Sequence, residues 1–314
     1  MTAVKLAVEI TLLVFLGFFI GKIKLLPDNF DEALSKFIID VSLPCLIIVS
    51  LNKAFDPSLL SGLLTLIIMS FAMTAAYFII GQIGYYIVGG GSSGRLVRFG
   101  TMFCNYTYFG MPVMNTLYGA DGLFLYSIFA IPIRIIIYFF ASVNFSGNGN
   151  TDGRKRSAKE IVKLLISPPT AAAIIGLVLY FCSISLPDFL YNVMDSVGSV
   201  SSPLGMILCG LSLAHIELKN IFKFSKAFFT VFMRCIVAPA LTLLVLSFTS
   251  IDPAYIKIAV IYSALPIAAM TTSYIITYEK DSKAISESAV AILVSTLLSI
   301  ATLPLFSFLL DKIY

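Results

Sequence analysis

Apolar stretches long enough to cross a lipid bilayer follow one another along most of this chain. A helix needs about 20 apolar residues to cross a hydrocarbon core about 30 Å thick. Ten stretches reach or approach this length within the 314 residues. We therefore expect an all-helical membrane protein with spans at residues 3–21, 34–51, 58–87, 96–118, 122–143, 164–182, 190–213, 224–249, 254–277 and 285–310.

The composition argues against a soluble protein or an enzyme. Charged residues make up 12% of the chain, about half the share of about 25% in soluble domains. The five cysteines are scattered through apolar stretches without metal-ligand or disulfide spacing, so neither a metal site nor a disulfide framework is expected, and we predict no cofactor. The sequence has no nucleophile–histidine–carboxylate constellation and no phosphate-binding loop, so we predict no catalytic activity.

The basic residues predict the orientation of the chain. If loops alternate between the two sides, 15 of the 21 Lys and Arg residues fall on one side and four on the other, with Arg134 and Arg234 inside spans. Loops rich in Lys and Arg are cytoplasmic. Both termini are then predicted to lie outside, in the cell membrane and most simply in a bacterial inner membrane.

The longest connection between spans is predicted to be a cytoplasmic basic linker at residues 147–163. It holds five of the basic residues and is too short for a catalytic domain. We interpret it as a solvated segment that sets topology, without a role in binding nucleic acid. The linker separates two five-helix halves, residues 1–146 and 164–314.

The two halves repeat the same features. With a shift of 159–160 residues, Gly17 meets Gly176, and Ser42-Leu43-Pro44 meets Ser201-Ser202-Pro203. Because each half holds five predicted spans, the second half enters the membrane from the opposite side. Inverted repeats of this kind are typical of secondary transporters, which bind substrate near the bilayer midplane at broken helices.

Spans four and nine contain helix-breaking residues at corresponding places. Proline removes an N–H group from a helix and crowds the preceding turn. Asn105 lies two turns before Pro112 and suits a carboxylate or carbonyl group, although it could instead bond a neighbouring helix. Hydroxyl groups within a span also often bond back to their own helix. The predicted substrate site comprises Asn105, Thr107, Gly110, Pro112, Pro266, Thr271, Thr272 and Ser273.

A second symmetric set lies in spans two and seven. It consists of Ser42, Pro44, Ser202 and Pro203. These residues either line the same cavity or only kink their helices, and the sequence leaves both interpretations open.

Three charged residues within predicted spans, Arg134, Arg234 and Asp40, are candidates for handling the anion or a coupling ion. Ionisable groups inside a bilayer are costly and are functional candidates by default. Arg134 and Arg234 either handle the anion, form structural pairs with Asp40, Asp195 or Glu9, or extend to the interface. Asp40 is a candidate for a coupling proton, or else a carboxylate at a helix end.

The residues at the breaks carry a resemblance that extends over nearly the whole chain. The sequence resembles the auxin efflux carrier family, which includes plant auxin carriers and bacterial malate-permease-like proteins. In span four the similarity lies in Gly100-Thr101, Asn105, Gly110-Met111-Pro112 and Leu117-Tyr118-Gly119, with support from Ser202-Pro203 and from Ala264-Leu265-Pro266. One departure is Met270-Thr271-Thr272, where many bacterial members place an asparagine shortly after the proline.

This resemblance implies a fold similar to bile-acid symporters and sodium–proton antiporters. Spans 4 and 9 would cross at their breaks, with Asn105, Gly110–Pro112 and Pro266 at the site. Spans 3–5 and 8–10 would form a transport domain that moves like an elevator. Spans 1, 2, 6 and 7 would form a scaffold that often mediates homodimerisation. The expected substrate is a small organic anion such as malate or an auxin-like acid.

Two alternatives to this reading stay open. The chain could be a sodium- or proton-coupled carrier of another substrate class, although no Asp or Glu flanks Pro112 or Pro266. It could also be a non-transporting membrane sensor that keeps the carrier fold.

Overall fold

The computed structural model describes residues 2–27, 29–145, 168–214, 223–279 and 281–314. The predicted linker at 147–163 lies outside these residues. The described secondary structure is helical, apart from one isolated β-bridge. The α-helices are α1 (Thr2–Lys22), α2 (Phe30–Phe37), α3 (Leu43–Leu51), α4 (Leu60–Ile87), α5 (Gly91–Met102), α6 (Met111–Phe145), α7 (Pro168–Phe181), α8 (Asp188–Ser199), α9 (Ser201–Ala214), α10 (Ser225–Phe232), α11 (Ala238–Ser247), α12 (Pro253–Ala264), α13 (Thr271–Tyr278) and α14 (Ser282–Ile313).

The predicted all-helical membrane architecture is confirmed for the described residues. Large apolar side chains such as Phe15, Ile68 and Phe139 are more than 60% exposed, which suits contact with lipid. Five helical runs are long and apolar enough to cross a membrane unaided: Ala33–Leu51, Pro57–Ile87, Tyr106–Phe145, Ser225–Ser247 and Ser282–Ile313. Several other predicted spans are divided into shorter helices, so the count of ten crossings stays a prediction.

Three prolines follow π-helical turns. The turns Ile38–Ser42, Tyr106–Gly110 and Met233–Val237 each end two residues before a proline, at Pro44, Pro112 and Pro239. A proline ring clashes with the carbonyl four residues earlier. That residue lies in the middle of each π turn, and the wider turn accommodates the ring. These prolines therefore bend continuous helices without ending them.

Gly119 divides α6 into two helices. Its φ of 64° and ψ of −159° are non-helical values, and a positive φ is readily adopted only by glycine. The division falls within the expected connection between spans four and five.

The chain forms two compact units. Unit 1 comprises residues 1–67, 107–131 and 163–216. Within it, α1 packs against α9 at two glycines: a Cβ atom on Gly17 would collide with the Ile207 carbonyl, and one on Gly210 with the Val14 carbonyl. Helix α3 packs against α7 and α8, where Gly198 lies against the Leu46 backbone.

Unit 2 comprises residues 68–106, 132–162 and 217–314. Within it, α14 packs against α10, α12, α13 and α5, while α11 packs against α12. Gly100 allows close approach, because a Cβ atom there would lie 2.6 Å from Cγ2 of Thr230. This unit contains the paired ends of α5 and α12.

Candidate functional site

Two interrupted helices pair at their breaks within unit 2. Helix α5 ends at Met102 and α12 at Ala264, and both chains continue in extended conformation. Cys104 and Ile267 form an antiparallel bridge. The Asn105 N–H donates to the Pro266 carbonyl at 2.8 Å, and the Ala268 N–H donates to the Phe103 carbonyl at 3.2 Å. We call this pair of segments, 103–105 and 266–268, the crossover.

The first break lies earlier than the sequence indicated. We expected Gly110 and Pro112 to interrupt span four, but the extended segment is Phe103–Asn105. Pro112 follows the π turn that ends at Gly110 and also contains Thr107, and this wider turn accommodates its ring within a continuing helix. The physical reason is that Pro266 and Ala268 pair with the extended backbone.

Asn105 is the predicted site residue placed most directly at the crossover. It is 9% exposed and immediately precedes the helical residues that begin at Tyr106. Its backbone N–H is used by Pro266, whereas no hydrogen bond of its side-chain amide to another described residue is recorded. A buried amide needs a partner, so this side chain is available to a ligand or to water.

Three more of the predicted site residues lie in the first turn of α13. The Thr271 hydroxyl is buried and donates to the Ala268 carbonyl at 2.7 Å. Thr272 shares a hydrogen bond of 2.9 Å with Ser288 of α14. Ser273 follows in the first turn. Thr271 and Thr272 thus stabilise the turn and its packing in this state.

Arg234 is fully buried beside the crossover. Its Nε donates to the Leu265 carbonyl at 3.1 Å, and its two terminal nitrogens donate to the carbonyls of Thr101 at 3.1 Å and Tyr262 at 2.7 Å. The rings of Tyr77 and Tyr262 flank it, with centroids 5.6 and 5.2 Å from the guanidinium carbon.

Arg134 lies close to the first break. It is 4% exposed, and its guanidinium carbon stands 5.9 Å from the centroid of the Tyr106 ring. Tyr106 directly follows Asn105, so Arg134 places a positive charge near the start of that helical segment.

The other predicted residues belong to unit 1. The buried Ser42 hydroxyl donates to the Val197 carbonyl or pairs with the Ser201 hydroxyl, both at 2.7 Å. Ser202 has a buried oxygen without a partner among the described residues. Pro44 and Pro203 lie in the first turns of α3 and α9. Asp40 is exposed in its π turn.

Unit 2 also contains polar contacts that the sequence did not reveal. Ser295 accepts the Ile267 N–H at 3.1 Å and so supports the crossover from α14. Arg98 donates to the side-chain oxygens of Asn144 and Gln82, each at 2.7 Å. Glu287 of α14 is buried, with one oxygen lacking a partner among the described residues. No sequence spacing marks these residues, because polar residues recur on many faces of long helices.

The whole chain matches a family of known membrane proteins. The model of the family described as "Membrane transport protein" matches residues 2–307. The chain belongs to this family. The predicted relation to the auxin efflux carriers is therefore confirmed.

The chain is also similar to two transporters from other organisms. The chain is 24% identical to an uncharacterized transporter of Methanocaldococcus jannaschii in an alignment of 314 positions, gaps included, that covers 96% of each chain. It is 23% identical to an uncharacterized transporter of Methanothermobacter thermautotrophicus in an alignment of 326 positions, gaps included, that covers 99% of each chain. The membrane transport protein family thus covers the crossover, both units and nearly all of the chain.

Proposed function

We propose that this protein is a secondary or facilitative carrier of small organic anions, which bind beside Asn105 at the crossover. The observation that carries the proposal is the Asn105 side chain, which is 9% exposed, has no side-chain hydrogen bond to another described residue, and lies at the start of a helical segment beside a second broken helix. The family supplies the class of activity, membrane transport. Small carboxylates such as malate or auxin-like acids fit the chemistry of this site.

The electrostatics of the crossover favour an anion. Residues 106–118 and α13 both begin next to it, and the N-terminus of a helix carries about half a positive charge with unsatisfied N–H groups. Arg134 adds a positive charge beside Tyr106. A carboxylate could accept a hydrogen bond from the Asn105 amide and lie within this positive field.

Contacts at one sequence offset support the inverted repeat. Ser42 bonds Ser201, which is 159 residues later. Gly17 of α1 packs against α9, and its counterpart Gly176 of α7, also 159 residues later, packs against Leu51 of α3. Two symmetry-related halves would produce such matching contacts. The proposed membrane protein therefore has ten spans in a five-plus-five inverted repeat.

An elevator mechanism follows from this architecture. Unit 2 holds the crossover and the ends of α5 and α12 in one compact body, whereas residues 107–131 of the proposed transport domain belong to unit 1. The proposed scaffold, through which a homodimer could form, consists of spans 1, 2, 6 and 7, whose described residues lie in unit 1. The proposed location is the cell membrane with both termini outside, because that orientation puts most basic residues inside.

The test is uptake by purified protein in liposomes. We expect labelled small carboxylates to accumulate and Asn105→Ala to lower the rate at least about tenfold, since losing one buried hydrogen bond to a charged group costs about 1.5–3 kcal/mol. Asn192→Ala, at an exposed position of α8, is the control. Uptake unchanged in Asn105→Ala, in a variant with normal thermal unfolding, would contradict the site.

A further inference from the structure

The crossover leaves backbone carbonyls without their usual helical partners. In a continuous helix the Thr101 carbonyl would accept from the Asn105 N–H, but this N–H donates to Pro266. The Tyr262 carbonyl would accept from residue 266, which is a proline and has no N–H. Buried carbonyl groups need donors. Both of these carbonyls, together with that of Leu265, receive the Arg234 guanidinium.

The charges at this point also match. The C-terminus of a helix carries about half a negative charge. The ends of α5 and α12 together amount to about one negative charge, and Arg234 supplies one positive charge between them. Its three hydrogen bonds go to carbonyls, and among the described residues no carboxylate forms an ion pair with it. The guanidinium therefore compensates helix ends, which is a different task from binding an acidic side chain.

The same carbonyl cluster, without Arg234, would be suited to a metal cation. Hard cations bind oxygen ligands, and in carriers with broken helices the unwound carbonyls and helix C-termini coordinate sodium. We infer that Arg234 occupies the place of a coupling cation, so that the crossover is assembled and charge-compensated without bound sodium. Sodium-independent transport of an anion rests on the proposed function. Sodium-independent folding of the crossover does not rest on it.

Arg234 is in this respect a positioning residue for Asn105. It holds the Thr101 carbonyl on one chain and the Leu265 carbonyl on the other, immediately before the two paired segments. Since Asn105 and Pro266 are bonded to each other, the position of the Asn105 amide depends on this guanidinium. Because the Arg234 side chain is part of the protein, sodium cannot displace it from these carbonyls.

The test compares thermal unfolding of the full-length protein in detergent with sodium, lithium or choline chloride at equal ionic strength. We expect the wild type to unfold at the same temperature in all three salts. Arg234→Ala should unfold at least roughly 5 °C lower in choline, because the Thr101 and Leu265 carbonyls lose the guanidinium as donor and the Tyr262 carbonyl keeps only the Leu265 N–H. Sodium or lithium should then restore part of that loss, since a small cation can enter among the carbonyls.

Two further variants keep the test decisive. Arg234→Lys retains the charge, so we expect an intermediate unfolding temperature without dependence on sodium. Arg98→Ala removes an arginine that bonds side-chain amides in the same unit, and we expect no difference between sodium and choline. If Arg234→Ala does not fold, the wild-type and Arg234→Lys measurements still decide the question.

Three results would overturn the inference. They are a wild type that gains several degrees from sodium over choline, an Arg234→Ala variant without cation-specific recovery, and an Arg234→Lys variant that requires sodium. None of these measurements uses a substrate. Sodium-dependent carboxylate uptake in liposomes would overturn the inference while leaving the proposed function intact, whereas absence of uptake would affect only the latter.

Discussion

The Ser42 and Ser201 hydroxyl groups lie 2.7 Å apart, and both residues are fully buried. The two residues are separated by 159 positions, the same offset that aligns the two halves of the chain. Each hydroxyl also reaches a carbonyl of the same segment, Val197 for Ser42 and Gly198 for Ser201. In the proposed inverted repeat these two serines would be equivalent residues, and their contact would place them near the axis that relates the repeats.

The first prediction concerns this serine pair. Ser42→Ala and Ser201→Ala should each lower the free energy of unfolding by about 1 kcal/mol, because each removes a buried hydroxyl that bonds both the other serine and a backbone carbonyl. The double variant should lose less than the sum, with a coupling energy of about 0.5 kcal/mol or more. Thermal unfolding of the four proteins in detergent measures this cycle. Strict additivity would show that the two hydroxyls do not interact.

The second prediction concerns the contact between α1 and α9. Gly210→Ala should lower the free energy of unfolding by about 1–3 kcal/mol, because the added methyl group meets the Val14 carbonyl and the helices must separate. Leu12→Ala, at a 62% exposed position of α1, serves as the control and should change stability little. Equal unfolding temperatures for Gly210→Ala and the wild type would rule out the close approach.

The third prediction compares two ion pairs. Arg95 and Glu279 form a bond in which the glutamate side chain is 5% exposed, whereas Asp121, paired with Lys53, is 89% exposed. Breaking a buried pair typically costs about 3–5 kcal/mol, and an exposed pair contributes about 0–1 kcal/mol. Glu279→Gln should therefore lower the unfolding temperature clearly, and Asp121→Asn should not. A larger effect of Asp121→Asn would reverse this ranking.

The fourth prediction concerns pH. Asp281 accepts hydrogen bonds from the N–H groups of Lys283 and Ala284 at the start of α14, and a hydrogen bond from Ser92 lowers its pKa. A lowered pKa in the folded state adds stability above the unfolded value of about 3.9. This stability is lost as the pH falls through the folded pKa.

The measurement for Asp281 is the unfolding temperature between about pH 5 and pH 2. The wild type should lose more stability on acidification than Asp281→Asn, and Ser92→Ala should show part of the same flattening. Parallel curves for the wild type and Asp281→Asn would contradict the assignment.

Glycine and proline chemistry predicted some of this fold correctly, and tertiary pairing decided the rest. Gly119 was expected between two spans and divides α6 there, and Pro266 lies just after α12 ends. The first break was expected at Pro112 and lies at Phe103–Asn105, because a π turn absorbs the proline while backbone about 160 residues later pairs with the extended segment.

The role of Arg234 shows why a sequence pattern is insufficient for part of the site. The sequence marked this arginine as unusual within a span, and it suggested either an anion or an acidic side chain as partner. Its recorded hydrogen-bond acceptors are main-chain carbonyls, which every residue possesses. The sequence also did not predict the role of Ser295, because its partner is a main-chain N–H, which nearly every residue possesses.

The preference of Arg234 for main-chain oxygens has a consequence for sequence divergence. Thr101 and Leu265 present only their carbonyls to the guanidinium, so other side chains of suitable size can occupy these positions while the contact persists. Position 234 has no such freedom, because lysine lacks the planar fork that reaches three carbonyls at once. We therefore expect substitutions at Thr101 and Leu265 to leave the geometry of the crossover intact, whereas a substitution of Arg234 should not.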